Sequence, residues 1–277
     1  MSGNYPSDGA RLSFSDTGAS LPLVLLHPTP LDSDYWRPLT RELAGIRALV
    51  PDLRGHGQSE LGTALPIGGF ARVPSAPVLT MEQLAADTLA LLDQLGVPKA
   101  VFGGCSIGGY VLLELWRRAP QRMIGMVFIC SKPQPDTEAS LVKRVETIAR
   151  AQAEGVAALF DGMAQNTVAP SVRRERPEVV AEVRAQMTLT PEALVAVQAG
   201  LAVRPDSVPT VSTIRVPVLA IAGAEDTGVT AADMEAFRAA PGGCEFHVLP
   251  GAGHYAAYEQ PKKVAALMAP WLRKFEA

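Results

Sequence analysis

The sequence is short of several things, and each shortage narrows what the chain can be. Of 277 residues only three are cysteine. Cys105, Cys130 and Cys244 form no C-x-x-C pair. An odd, dispersed set argues against a disulfide framework and predicts reduced thiols in a cytoplasmic protein. The four histidines share no ligand-like spacing, so no metal is expected. Lys and Arg total 25 against 28 Asp and Glu, a net charge of −3, which leaves no basic field to attract nucleic acid or an anionic membrane. No uninterrupted apolar run reaches the roughly 18 residues that a membrane span needs. The opening "MSGNYPSDGARLSF" has neither a basic nor an apolar leader region, which predicts no signal peptide.

What is abundant is apolar residue, 48% of the chain, enough for a large buried core. It is arranged in short runs rich in Val, Ile and Leu: "PLVLLH" from Pro22, "IRALVPD" from Ile46, "KAVFGGCS" from Lys99, "GMVFICS" from Gly125, "VPVLAIAG" from Val216 and "CEFHVLPG" from Cys244. Runs without polar alternation suit a parallel sheet covered on both faces. Helical patterns stand between them. One opens with a Thr80…Gln83 capping box and closes at Gly96 before Pro98. The alternation predicts an α/β class with a mostly parallel central sheet. From 133 to 211 the pattern is helical with no convincing strand, as in "TPEALVAVQAGLAV", where Thr190 is placed as N-cap and Pro191 at N1. This predicts a helical insertion between two core segments, 1–132 and 212–277. A second irregular stretch, 61–78, is long for a connection, and such loops are usually functional or mobile.

Chemistry concentrates in three places. "GGCSIGGY" contains G-x-S-x-G at 104–108, after an apolar strand and before the helical "YVLLELWRRAP". That setting predicts a tight strand-to-helix turn with Ser106 in a strained conformation, Gly104 and Gly108 making room, and Oγ at the positive end of a helix. A serine needs a base, and "GAGHYAAYEQP" puts His254 in a glycine loop after the last strand. His27, His56 and His247 fit that role less well. The base needs an orienting carboxylate, and "GAEDTGV" offers Asp226, with Glu225 as its competitor. The chain order Ser106, Asp226, His254 is that of a nucleophile-elbow hydrolase.

The third place is "LLHPTPLDSDYW". Pro28 and Pro30 carry no N–H, so Thr29 keeps the one donor between them.

These motifs together resemble the α/β-hydrolase superfamily over nearly the whole chain. "DLRGHGQS", 52–59, matches its D-x-R-G-x-G-x-S loop, and "GAGHYAAYEQP" matches a G-x-G-H…E-x-P ending with Glu259 and Pro261 in place. "GGCSIGGYVLLELWRRAP" is most similar to the esterase and lactonase branch that includes 3-oxoadipate enol-lactonase. The resemblance implies that the insertion is a cap over the active site and that no cofactor takes part. It implies an oxyanion hole made by the N–H of Ile107 and that of Thr29, where Pro28 replaces the glycine of the usual H-G-x-P. His27, Pro30, Cys105 and Tyr255 adjoin these positions and are candidates for the pocket wall.

Serine rather than aspartate at 106 points to a carbonyl substrate: a small-molecule ester, lactone or thioester, with carbon–carbon bond hydrolysis as an alternative. A non-turnover small-molecule receptor of the same fold is the reading from another class. A monomer or homodimer is expected. Cap residues Leu159, Phe160, Met163, Met187, Leu189 and Leu194 read as helix core before pocket wall. Arg173, Arg174 and Arg176 read as a solvated face before a phosphate site.

Overall fold

The computed structural model describes residues 1–275 except 19, 44, 63 and 64. The six apolar runs become β3 (Pro22–Leu26), β4 (Arg47–Pro51), β5 (Ala100–Cys105), β6 (Met123–Ile129), β7 (Val218–Gly223) and β8 (Cys244–Leu249). Two further strands precede them, β1 (Ser2–Ser7) and β2 (Ala10–Asp16). The sheet order is β1-β2-β4-β3-β5-β6-β7-β8. β1 and β2 form an antiparallel hairpin that pairs antiparallel to β4, and every other pairing is parallel.

The added hairpin was not foreseen from sequence, for a physical reason. It lies at the sheet edge, so it alternates buried Tyr5, Leu12 and Phe14 with exposed polar residues instead of running apolar. Pro6 is tolerated there because an outermost strand needs fewer ladder donors.

Helices occupy the connections: α1 (Arg37–Glu42), α2 (Met81–Gln94), α3 (Ile107–Arg118), then α4 (Glu138–Glu154), α5 (Ala157–Thr167), α6 (Pro170–Glu175), α7 (Glu178–Ala185), α8 (Pro191–Ala202) and α9 (Val208–Val211). After β7 come α10 (Ala231–Met234), α11 (Ala256–Glu259) and α12 (Pro261–Leu272). Between β6 and β7 the described residues form six helices and no strand. α2 begins as read, with Thr80 Oγ1 accepting from Gln83 N at 3.1 Å. The reverse arm of that box is absent, because Gln83 Nε2 donates instead to Asp87 Oδ1 at 3.0 Å. α8 has the expected cap, Thr190 Oγ1 accepting from Ala193 N at 3.2 Å.

The described part of the 61–78 stretch is largely exposed but anchored at three buried side chains and one bridge. Phe70, Ala76 and Val78 are buried, and Ile67 bridges Pro77. The stretch runs into Leu79, whose N–H donates to Ala196 O at 3.0 Å, and Gly200 is required there because a Cβ would meet Leu79 O at 1.7 Å.

The strand order reverses between β3 and β5. In an open α/β sheet the crevice beyond the carboxyl ends at such a switch is where ligands bind. Here that crevice is bounded by the loop after β3, carrying Thr29, and the turn after β5, carrying Ser106.

Candidate active site

Ser106 leaves β5 with φ 52° and ψ −117°, a left-handed strain that few non-glycine residues adopt. Neighbouring glycines permit it. A Cβ on Gly104 would lie 2.4 Å from Gly108 C, and one on Gly108 would lie 2.1 Å from Leu26 O, so the turn folds against itself and against β3. Ser131 Oγ donates to Ser106 O at 2.9 Å, tying the end of β6 to the same turn. The result sets Ser106 at the head of α3, 9% exposed.

His254 Nδ1 donates to Asp226 Oδ2 at 2.7 Å. Asp226 is fixed by two more donors, Gly228 N at 2.8 Å and Val229 N at 3.0 Å. Its side chain is 1% exposed and that of His254 is 13% exposed. Burial alone would raise the Asp226 pKa, but the imidazole and the two backbone N–H groups bring it below the usual carboxylate value. Burial alone would lower that of His254, but the charge and hydrogen bond of Asp226 lift it above the ordinary imidazole value. The competing Glu225 faces away: its Oε2 accepts from Ser171 N at 2.9 Å, at the start of α6.

The His254 loop is clamped by a group that sequence reading placed in a motif without giving it a task. Glu259 is fully buried and accepts three backbone N–H groups, from Ala169 at 3.0 Å, Gly253 at 2.9 Å and Tyr255 at 3.0 Å. Two of those donors flank His254 directly. Burial pushes the Glu259 carboxyl above its usual value against the pull of these donors. His254 N donates to Thr167 O at 2.9 Å, so the end of α5 holds the same loop.

Ser106 and His254 line one cavity of about 210 Å³, together with Thr29, Pro30, Tyr110 and Tyr255. Its opposite wall is Arg144 from α4, Met163 and Thr167 from α5, and Gln198 and Leu201 from α8. Among the described residues no hydrogen bond joins Ser106 to His254 directly, and unliganded sites often close that bond only around substrate. A hollow of about 490 Å³ near Gly96 and Arg122 is larger but holds no histidine. Among the described residues no group of His, Cys, Asp and Glu could hold a metal ion.

Of the four expected wall residues, Pro30 and Tyr255 line the cavity, and His27 and Cys105 do not. His27 is fully buried, its Nδ1 3.0 Å from Pro28 O and its Nε2 accepting from Leu53 N at 2.9 Å. A carbonyl can only accept, so Nδ1 carries the hydrogen. Burial drops the His27 pKa to about 4 and that of His56, also under the influence of His27, to about 3. His56 Nδ1 likewise faces Arg54 O at 3.0 Å, which leaves Nε2 to accept from Thr29 Oγ1 at 2.9 Å. The two histidines thus buckle the loop after β3 to the loop after β4. Cys105 is fully buried, accepts from Tyr35 Oη at 3.2 Å and has its thiol pKa pushed up by burial.

The D-x-R-G-x-G-x-S loop is scaffolding for that buckle. Asp52 accepts from Ser33 N and Gln58 N at 2.9 Å each, and Gly57 is needed because a Cβ would lie 2.6 Å from the Asp52 carboxyl. Arg54 pairs with Asp87 at 2.6 Å in full burial. The expected oxyanion donors, Thr29 N and Ile107 N, have no acceptor among the described residues. Two of the three basic-cluster arginines are engaged locally, Arg173 donating to Gln165 O and Arg176 to Glu259 O, each at 2.6 Å, and Arg174 is exposed.

A profile of the alpha/beta hydrolase family matches residues 23–267. The chain belongs to the alpha/beta hydrolase family. Among solved structures of that family, a thermophilic esterase from Thermogutta terrifontis (malate bound) superposes with a TM-score of 0.87 at 33% identity, covering 97% of this chain and 95% of the other. A 3-oxoadipate enol-lactonase 2 from Acinetobacter baylyi is 30% identical over 183 residues, 66% of this chain and 62% of that protein. A 2-succinyl-6-hydroxy-2,4-cyclohexadiene-1-carboxylate synthase from Enterobacter sp. is 28% identical over 257 residues, 91% of each chain. The relatives of this chain thus include an esterase, an enol-lactonase and a synthase, and its mostly parallel sheet flanked by helices is the fold that the sequence pattern implied. No helix among the described residues is long and apolar enough to cross a membrane.

Proposed function

We infer that this alpha/beta hydrolase is a serine hydrolase that cleaves a carboxylic ester or lactone of a small molecule through an acyl-Ser106 intermediate. The observation that carries the reading is the Asp226–His254 hydrogen bond at 2.7 Å, on a histidine that shares a 210 Å³ cavity with a strained, elbow-mounted Ser106. His254 Nε2 takes the proton from Ser106 Oγ as Oγ attacks the carbonyl carbon. Asp226 holds the ring with its hydrogen on Nδ1 and stabilises the imidazolium that forms. The carbonyl oxygen, now an anion, is received by the free N–H groups of Thr29 and Ile107. His254 then protonates the departing alkoxide, and a water deprotonated by the same nitrogen releases the acid.

The helical segment 133–211 acts as a cap, because α4, α5 and α8 supply one wall of the cavity and limit its size. The esterase and enol-lactonase relatives support an acyl-transfer substrate over a receptor role.

The test is a panel of short-chain esters, lactones and acyl thioesters with Ser106→Ala beside the wild type. Turnover of an ester or lactone, lost in Ser106→Ala, supports the reading. Preference for thioesters would move the substrate class, and equal activity in the two proteins would remove Ser106 from the chemistry.

A further inference from the structure

One wall of the cavity carries a charge that the acyl-transfer steps leave unused. Arg144 reaches it from α4, 18% exposed, facing the space that Ser106 and His254 share. Its Nε and Nη2 donate to Asp136, and its Nη1 donates to Gln198 Oε1 at 2.8 Å. A guanidinium has five N–H groups. Three are committed, and one on each terminal nitrogen remains without an acceptor among the described residues.

The same carboxylate serves a second arginine. Arg204 Nη1 donates to Asp136 Oδ1 at 2.6 Å and also to Leu201 O at 2.8 Å, and its guanidinium stacks over Tyr110 at 4.5 Å. Arg204 is 4% exposed, donates from Nη2 to Gln134 O at 3.1 Å, and does not line the cavity. Asp136 stays ionised: burial would raise its pKa, but the two guanidiniums hold it below the usual value.

Two guanidiniums against one carboxylate leave one unit of positive charge in a largely buried place, and its exposed end is Arg144. A neutral substrate would leave that charge facing an emptied, water-poor pocket, which is unfavourable. An anion would use it. Arg144 is also pre-positioned, because Asp136 and Gln198 already fix its long side chain, so little conformational entropy is lost on binding. Paired N–H groups on a fixed guanidinium match a carboxylate in shape and charge.

We propose that Arg144 is a specificity residue that selects esters or lactones bearing a free carboxylate on the part of the substrate held under α4 and α8. This rests on the serine-hydrolase reading above, and it adds the substrate class. The volume of about 210 Å³ limits the group to a short acid of a few carbons between carboxylate and scissile carbonyl.

The experiment compares monomethyl succinate and monomethyl glutarate with their dimethyl esters, following methanol release. The wild type is expected to favour the anionic monoester by roughly 10–100-fold in kcat/KM, the span of one charge-assisted hydrogen-bonded pair. Arg144→Gln should abolish that preference, chiefly through KM, and Arg144→Lys should restore part of it. A second arm reads binding without turnover. Glutarate titrated into Ser106→Ala by calorimetry should bind at least tenfold more tightly than into Ser106→Ala/Arg144→Gln, with dimethyl glutarate showing no such difference.

A wild type that shows no anionic preference, or an Arg144→Gln that lowers both ester types equally, would overturn the assignment. So would glutarate binding that ignores residue 144. If neither ester is turned over yet glutarate still binds through Arg144, the hydrolase reading fails and the anion site stands.

Discussion

Replacing Glu259 by alanine should loosen the His254 loop and weaken the whole protein. The side chain lies fully buried, with Oε2 accepting from Ala169 N at 3.0 Å and Gly253 N at 2.9 Å, and Oε1 accepting from Tyr255 N at 3.0 Å. A buried donor left unpaired costs ~1–3 kcal/mol, and Glu259→Ala strands three of them. Some water will enter the vacated space, so the expected loss is about 3–5 kcal/mol. That is a large part of the ~5–15 kcal/mol by which a domain is normally stable.

Glu259→Gln keeps the shape but offers one accepting oxygen. It can retain the pair at Ala169 and Gly253 only by turning its NH₂ toward the Tyr255 N–H, donor against donor. The expected loss is about 1–3 kcal/mol, with a fall in kcat of roughly tenfold because His254 stands between two of the clamped residues. Urea unfolding gives the stability and ester hydrolysis gives kcat. A Glu259→Ala protein within about 1 kcal/mol of wild type and with unchanged kcat would refute the clamp.

The other expectations concern the catalytic groups. Asp226→Asn should lower kcat by roughly 10⁴ through loss of the orienting carboxylate. Glu225→Gln should leave kcat within a few-fold, because that carboxylate serves Ser171 N; steady-state kinetics on both variants decides between them. Thr29→Pro should lower kcat by ~10²–10³ by deleting an oxyanion donor. Thr29→Val should keep most activity but lose about 1–2 kcal/mol in thermal or urea unfolding, since the buried His56 Nε2 loses its partner. In the pH profile the base must be neutral, and the His254 pKa is raised by Asp226. The acid limb of kcat/KM should therefore fall at a pH above the ordinary imidazole value near 6.5. The same pairing stabilises the fold below the unfolded imidazole pKa, and that contribution fades as pH rises through the folded one.

Much of this was legible in the sequence because the decisive features are local. G-x-S-x-G needs only five residues to force the elbow at Ser106, and its glycines are where a Cβ would strike Gly108 and Leu26. The apolar strands declared themselves by lacking polar alternation. The N-terminal hairpin did not, because an edge strand half covered by the core looks like any polar loop with scattered aromatics.

His27 read as a wall residue from its place beside Thr29. Only the fold shows it turned inward to Leu53 N. Arg144, Asp136, Gln198 and Arg204 were invisible as a set: the pair Asp136 and Arg144 is far in the chain from the pair Gln198 and Arg204 that it meets, and nothing local in "DTEASLVKRVETIARAQAEG" distinguishes Arg144 from a solvated helix arginine. Glu259 stood in the E-x-P motif, but the motif gives the residue and not the three donors it gathers.

The most direct test of the central claim is covalent. Incubating the wild type with a fluorophosphonate and reading intact and peptide masses should give one adduct, on Ser106, with activity lost in proportion to labelling. The adduct should fail to form in Ser106→Ala and form far more slowly in His254→Ala. A protein that hydrolyses esters while remaining unlabelled, or that carries its adduct on another residue, would contradict the account.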